Sequence, residues 1–480
     1  MLYCIACHGE LINSSENLRI CSHCGKQYPS INGVDVFILP NAVSSLSGYV
    51  REIDDTKAEF TTISASLKKF EKAADSALTE RIARTQNGMS ANLKFLEAVY
   101  QPIIDFMQSH PCQDGGFASN TLKSGYTGGH MLPYFYQDWC GVTDYEAVKN
   151  LICQALTAHC QDRDKVAVLG SGACGLLYSV ADYFQLSYGV DLSLPALLMA
   201  KKLIEGVPLT FRLKEANWQE VTVVPPASPA RDIRFFAADA MTLPFKSGTL
   251  SVVVTQYLLD IVSNTERFSQ EIHRVLKPSG VWINFSKPFN VQDPAELGRH
   301  RLAELPEYFN KLGFTVEHTD CHRFTPFNLR IVDAEADNLD DVVHFFTLRK
   351  NKQPMQVLKD RPVSRFFTNN DAIWHEIPRI VKGREVTFFQ KRFFSDQAHD
   401  ESLWLNVMGQ FIAVPADLAL LVESFFALID GEKNLKALFL IFQSRGAALT
   451  KEQFLILIYC LNRQYALIDL QETAAHSSAS

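Results

Sequence analysis

A chain of 480 residues is too long for one ordinary hydrophobic core, so two or three domains are expected. Its 47% hydrophobic and 21% charged residues are those of a folded protein rather than a disordered or fibrous one. The formal net charge of -7 argues against broad charge-driven adhesion, so nucleic acid is the weaker class of partner and an anionic membrane surface is not expected. No apolar run reaches the roughly 18–20 residues needed to cross a bilayer. The opening "MLYCIACHGE" lacks the regions of a secretory signal. Eleven cysteines, four of them clustered, fit a reducing compartment, and a cytoplasmic location is expected.

The first element, residues 1–42, contains Cys4 and Cys7 in one C-x2-C knuckle and Cys21 and Cys24 in a second. Thiolates are soft ligands, and two facing knuckles close a tetrahedral Zn2+ site with no position left for water. The expected role of the metal is therefore structural. The run "CGKQYPSINGVDVFILP" after the last ligand resembles the small zinc-ribbon family that activates tRNA, rRNA and protein methyltransferases. That resemblance covers about forty residues and implies a platform for a methyltransferase, here fused in cis.

Residues 43–133 are expected to form a helical cover and a lid region. From Asp54 to Tyr100 charge alternates and apolar residues such as Leu93, Phe95, Leu96 and Val99 recur at helical spacing. Gly115 to Gly129 reads as a flexible loop. It leads into "HMLPYFYQDW", His130 to Trp139, which reads as a packed loop over a core or as a lid over a substrate.

The next unit opens with a buried strand, Lys165 to Leu169, and places Gly170, Gly172 and Gly175 in G-x-G-x-x-G register at the following turn. Such glycines let the backbone approach a ligand at a helix N-terminus. The second strand ends near Asp191, sixteen residues after Gly175, where a carboxylate can accept both hydroxyls of a ribose. To this point a nicotinamide dinucleotide and S-adenosylmethionine (SAM) fit equally. The continuation is "IRFFAADAMTLPF", "GTLSVVVTQYLLD", a helix capped by Asn264 with Phe268, Ile272, Val275 and Leu276 on one face, and "LKPSGVWINFS". This succession resembles the class I SAM-dependent methyltransferases. The resemblance implies a Rossmann-like α/β domain over residues 134–350, a seven-stranded sheet and SAM as cofactor. It implies that Gly170 and Gly172 pass close to the methionine part, that Asp191 holds the ribose and that Asp239 bonds the adenine amine, with Ser171, Gly175, Leu192, Ala240 and Gln256 also among the cofactor-binding residues.

"GVDLSLPALLMAKKLI" and "LSVVVTQYLLDIVSNTERFSQEIHRVLKPSGVWINFSKP" are further similar to the carnosine N-methyltransferase family, whose acceptor is an imidazole nitrogen. In that family an aspartate after the fourth strand contacts the imidazole, and Asp260 falls on that position. A carboxylate there accepts the N–H of one ring nitrogen and exposes the lone pair of the other. The alternative reading of Asp260 is a loop cap. The family's tyrosines near the last strands are not found in "NLDDVVHFF"; His130, Tyr134, Tyr136 and Tyr257 are the candidates to replace them.

Past a linker expected near Asn351 to Arg361, residues 362–472 read as strand, helix, Asp-Gly turn, two helices and strand. They resemble the winged helices that bind leader peptides in ribosomal peptide modification pathways. That implies an α+β domain for a precursor peptide or protein partner. The expected function is SAM-dependent methylation of a peptide or protein at a histidine-like nitrogen, with Asp260, Tyr257 and His130 as catalytic candidates. The alternatives are an RNA methyltransferase guided by the ribbon and a non-catalytic SAM-fold scaffold.

Overall fold

The computed structural model describes residues 2–15, 17–38, 42–71, 75–110, 128–214, 216–226, 232–262, 264–289, 301–324, 341–351, 371–380, 386–394, 399–407, 410–414, 422, 424–445, 450–459, 461–462 and 467–471. Most of the expected glycine-rich loop and of the linker lies outside these residues.

Four short strands open the chain: β1 (Leu11–Ser15), β2 (Leu18–Cys21), β3 (Gln27–Ile31) and β4 (Val34–Phe37). Asn32 and Gly33, both at positive φ, make the two-residue turn between β3 and β4. Two long helices follow, α1 (Ala42–Glu71) and α2 (Ser76–Ser109). They pack along one another. The ends nearest the sheet are covered through Leu46, Tyr49 and Ile53 of α1 and Leu96, Val99, Tyr100 and Ile103 of α2; Ile82 and Gly88 of α2 are buried as well, while Phe70 is 66% exposed.

His130 to Trp139 is not a loop. It is a 3-10 turn, Gly128–Met131, leading into α3 (Leu132–Trp139). Pro133 sits in the first turn, where its missing N–H costs nothing, and Leu132, Phe135 and Asp138 fall on one buried face at helical spacing.

After α4 (Thr143–His159) the strands and helices alternate: β5 (Lys165–Leu169), α5 (Gly175–Val180), β6 (Leu186–Asp191) and α6 (Leu194–Ile204). A hairpin of β7 (Leu209–Leu213) and β8 (Gln219–Val223) intervenes before β9 (Ile233–Ala238). Then come β10 (Leu250–Gln256), α7 (Thr265–Val275), β11 (Leu276–Ser286), α8 (Leu305–Lys311), β12 (Phe314–Phe324) and β13 (Asp341–Lys350).

The seven strands of this unit lie in the order β9-β6-β5-β10-β11-β13-β12. The first five are parallel to their neighbours, and β13 is antiparallel to both β11 and β12. Helices cover both faces, so the central strands are continuous apolar runs, as in Val166–Leu169 and Val252–Val254. The sheet does not stop at β9. β4 pairs with β9 in parallel register, Val34 against Phe235 through Phe37 against Ala238, and carries β3, β2 and β1 on as one eleven-stranded sheet. The ribbon is thus a continuation of the domain's sheet.

The β7–β8 hairpin was not anticipated, although its alternating burial is that of a half-buried strand pair. Asn92 of α2 clamps it, donating to the carbonyl of Arg212 at 2.8 Å and accepting its N–H at 2.7 Å.

The C-terminal residues form β14 (Ile377–Ile380), a meander of β15 (Val386–Phe394), β16 (His399–Val407) and β17 (Gln410–Val414), helices α9 (Leu435–Ser444) and α10 (Lys451–Tyr459), and β18 (Ile468–Gln471). Phe425, Leu438, Phe442, Phe454 and Ile458 make their core. β18 pairs with β14, whereas β17 pairs with β16, so the two strands expected to flank the helices belong to different sheets.

Candidate active site

The C-terminal ends of the parallel strands β6, β5 and β10 converge on the turn after β5. Gly170 and Gly172 both have positive φ, and so does Cys174, which caps α5. The turn is anchored to β6, since the N–H groups of Gly170 and Ser171 donate to the carbonyl of Val190 at 2.9 and 3.1 Å. A Cβ at Gly172 would meet no protein atom within 4 Å, so this glycine keeps a left-handed bend beside open space. Gly175 differs: a Cβ there would come within 2.7 Å of the Cβ of Asp138. The third glycine of the pattern is required by the close approach of α3.

Asp191 joins the two sides. One carboxylate oxygen accepts the N–H of Gly172 at 2.8 Å and the other that of Ser193 at 2.8 Å. Each oxygen keeps lone-pair capacity for a further donor. Burial pushes the Asp191 carboxyl up, and the backbone N–H groups of Ser193, Gly172 and Leu192 oppose that shift. The carbonyl of Leu192 accepts the hydroxyl of Tyr49, which pins α1 to this corner. Asp239, after β9, accepts the N–H of Met241 at 2.8 Å, and burial raises its carboxyl as well. The following loop is held by α7: Glu271 accepts the N–H of Leu243 at 2.7 Å, and Arg274 donates to the carbonyls of Phe245 and Leu243 at 2.7 and 3.2 Å.

β10 ends at Gln256, and Tyr257 beyond it has a φ of +47°, a left-handed conformation costly for an aromatic residue. Its N–H donates to the carbonyl of Phe285 at 2.7 Å, and its ring meets that of Phe285 edge-on. Beneath, a buried polar chain fixes β10 against β11: Trp282 donates to Thr255 at 2.8 Å, Thr255 to Asn284 at 2.7 Å, and Asn284 to Ser286 at 3.0 Å. Asp260 is half-buried in the turn that follows, where the N–H groups of Ile261 and Val262 fold back to Leu258.

The expected residues therefore fall into three groups. Gly170, Ser171, Gly172, Asp191 and Leu192 form one hydrogen-bonded corner, with Gly175 at the start of the adjoining helix. Gln256, Tyr257 and Asp260 follow one another off the end of β10. Asp239 and Ala240 lie after β9. His130 is exposed, in a turn packed against α1, α2 and α6. Sequence reasoning missed Asp138, Trp139 and Tyr145, which reach the same turn from α3 and α4. The indole of Trp139 donates to the carbonyl of Ala173 at 2.9 Å.

Far along the sheet, the sulfurs of Cys4, Cys7, Cys21 and Cys24 all lie within 4.8 Å of one another and could hold a metal ion. The Cys4–Cys24 and Cys7–Cys21 separations are 3.6 and 3.4 Å. The edge of a tetrahedron built on Zn–S bonds of about 2.3 Å is about 3.8 Å, which lies between these two separations and the 4.8 Å bound on the set, so the four sulfurs fit a zinc ion.

Residues 167–284 match the family described as methyltransferase domain. A sterol 4-C-methyltransferase of Caenorhabditis elegans is 25% identical over 173 residues, which are 34% of this chain and 43% of that protein. The chain thus spans less than half the length of this curated relative. Among solved structures, a phosphoethanolamine N-methyltransferase of Haemonchus contortus is 15% identical, with 49% of this chain and 60% of that one covered and a TM-score of 0.35. A SAM-dependent methyltransferase of Mesorhizobium loti is 17% identical, with 41% and 96% covered and a TM-score of 0.28. The family match and the strand order together define the class: this chain carries a class I SAM-dependent methyltransferase domain of Rossmann-like fold on a mixed sheet. No helix among the described residues is long and apolar enough to cross a membrane.

Proposed function

We propose that the protein transfers a methyl group from SAM to an imidazole-type nitrogen of a peptide or protein. The observation that carries the cofactor reading is the Gly172–Asp191 corner: an open left-handed glycine turn bonded to a carboxylate with lone pairs left for two hydroxyls. Gly170, Ser171, Gly172 and Gly175 would line the methionine part, Asp191 and Leu192 the ribose, and Asp239, Ala240 and Gln256 the adenine side. When bound, SAM supplies an electrophilic methyl on a sulfonium. The chain's residues have to orient a nitrogen lone pair in line and take up one proton. Asp260 accepts the N–H of the acceptor ring and stabilises the charge that develops on it; Tyr257 walls the approach.

Two parts of the chain have supporting roles in this reading. The four cysteines hold one structural zinc. Residues 362–472 receive a precursor peptide or protein partner, as the likeness to leader-binding winged helices suggests, and the protein works in the cytoplasm. The domain division is that of the sequence: ribbon 1–42, helical cover 43–133, methyltransferase 134–350 and partner-binding domain 362–472.

The test uses the full chain with radiolabelled SAM on peptide arrays with and without histidine, followed by fragmentation to locate the methyl. Label confined to histidine, with Asp260→Asn slowing transfer about 10²–10³-fold at unchanged SAM affinity, is the expected result. Wild-type turnover in Asp260→Asn overturns the role of that residue. A methyl found on a nucleobase or a sterol overturns the acceptor class.

A further inference from the structure

The glycine turn is gripped from α3 at two successive residues. Trp139 donates to the carbonyl of Ala173 at 2.9 Å, and Asp138 accepts the N–H of Gly175 at 3.0 Å. Asp138 is 7% exposed, and the Gly175 backbone lies too close to it for any side chain to intervene. Its carboxylate also interacts with the hydroxyl of Tyr145, on α4, which helps hold the carboxyl down against its burial. That hydroxyl in turn lies 3.4 Å from the side-chain oxygen of Gln256, the last residue of β10. A line of three side chains thus runs from the turn after β5 to the end of β10, which are the two flanks of the proposed cofactor site.

We propose that Asp138 is a positioning residue of that site, fixing the glycine turn through Gly175 and setting the orientation of the Gln256 amide through Tyr145. The inference rests on the SAM reading of the turn. The tyrosine hydroxyl has one proton to give. With Asp138 ionised, the proton goes to Asp138, and the Gln256 amide turns its NH2 toward the tyrosine oxygen, freeing its carbonyl for the cofactor side. With Asp138 protonated, the carboxyl donates to Tyr145, Tyr145 donates to the carbonyl of Gln256, and the amide is reversed.

The groups around Asp138 set where this exchange occurs. Burial pushes its carboxyl up to about 7, against the Gly175 N–H, the Tyr145 hydroxyl and Lys149, while Glu146 adds to the rise. Cys174 faces it from the turn, and burial keeps that thiol protonated. The hairpin packed on α3 brings Arg212 and Glu220 already paired with each other. SAM carries a net positive charge, so the ionised carboxylate favours it electrostatically as well as through Gln256.

The test is calorimetry of SAM binding to the full chain between about pH 5.5 and 8.5, with thermal unfolding checked at each pH. Wild-type affinity should be highest at alkaline pH and fall about tenfold over the two units spanning the Asp138 titration. Asp138→Asn should bind with an affinity that follows only the titration of SAM itself. Tyr145→Phe cuts the relay to Gln256, so it should weaken binding at alkaline pH and flatten the dependence to the part carried by the charge of Asp138 alone. The same pH profile in wild type and Asp138→Asn overturns the proposal. So does a full wild-type dependence in Tyr145→Phe, which decides the matter even if Asp138→Asn does not fold. Absence of SAM binding by wild type at every pH overturns instead the cofactor reading beneath it.

Discussion

At the scale of single residues, burial raises both carboxylates beside the glycine turn, and they differ in what they hold. Asp191 accepts two backbone N–H groups and, in the proposed complex, two hydroxyls. Asp191→Ala should weaken SAM binding by about 1–3 kcal/mol, read by calorimetry, because those donors are left without a buried acceptor. Asp138 is held in the native state with its carboxyl raised from 3.8 to about 7. A raised acid lends stability that is fully present below its unfolded value and lost as the pH climbs through the folded one. Asp138→Asn should therefore unfold at a temperature at least about 2 °C above wild type at pH 8. The gap should close as the pH is lowered toward 4, as followed by thermal melts. Asp191 and the glycines were legible in the sequence because their spacing is set by one strand–turn–strand unit. Asp138 and Tyr145 were not, because their meeting depends on how α3 and α4 dock, and no local period encodes that docking.

At the scale of elements, legibility follows the range of the interaction. The cap on α7 was readable: Asn264 accepts the N–H of Arg267 at 2.9 Å, and Phe268, Ile272 and Val275 are fully buried on the face their spacing predicts, while Leu276, also buried, already opens β11. The parallel pairing within β9-β6-β5-β10-β11 suits the alternation of strands and helices that the sequence shows. The clamp of Asn92 on the β7–β8 hairpin and the pairing of β14 with β18 depend on partners chosen at long range. The ribbon is the element most open to test. Cys21→Ser should release the metal, because binding free energy in such a site is folding free energy. Elemental analysis and proteolysis of residues 1–38 would register the loss. Full metal retention, or the absence of zinc from freshly purified wild type, would remove the zinc assignment.

At the scale of the whole molecule, the ribbon and the methyltransferase domain share one sheet and also a loop. The N–H of Tyr3 donates to the carbonyl of Pro244 at 3.1 Å, and Arg274 lies 5.2 Å over the Tyr3 ring. That loop begins at Asp239, so residues far apart in the chain shape one wall of the proposed cofactor site. Chelating the metal should accordingly lower SAM affinity, measured on the intact chain before and after zinc is returned; unchanged affinity would show the two to be independent. The β4–β9 pairing has a further consequence, in the time the chain takes to be made. Val34 waits for Phe235, about 200 residues later, which at about 5–20 residues per second is roughly 10–40 s of synthesis. Throughout that interval the outer strand of the ribbon presents an open edge, a template for any passing extended segment. Early metal capture would keep the ribbon folded and in register until its own partner strand is made.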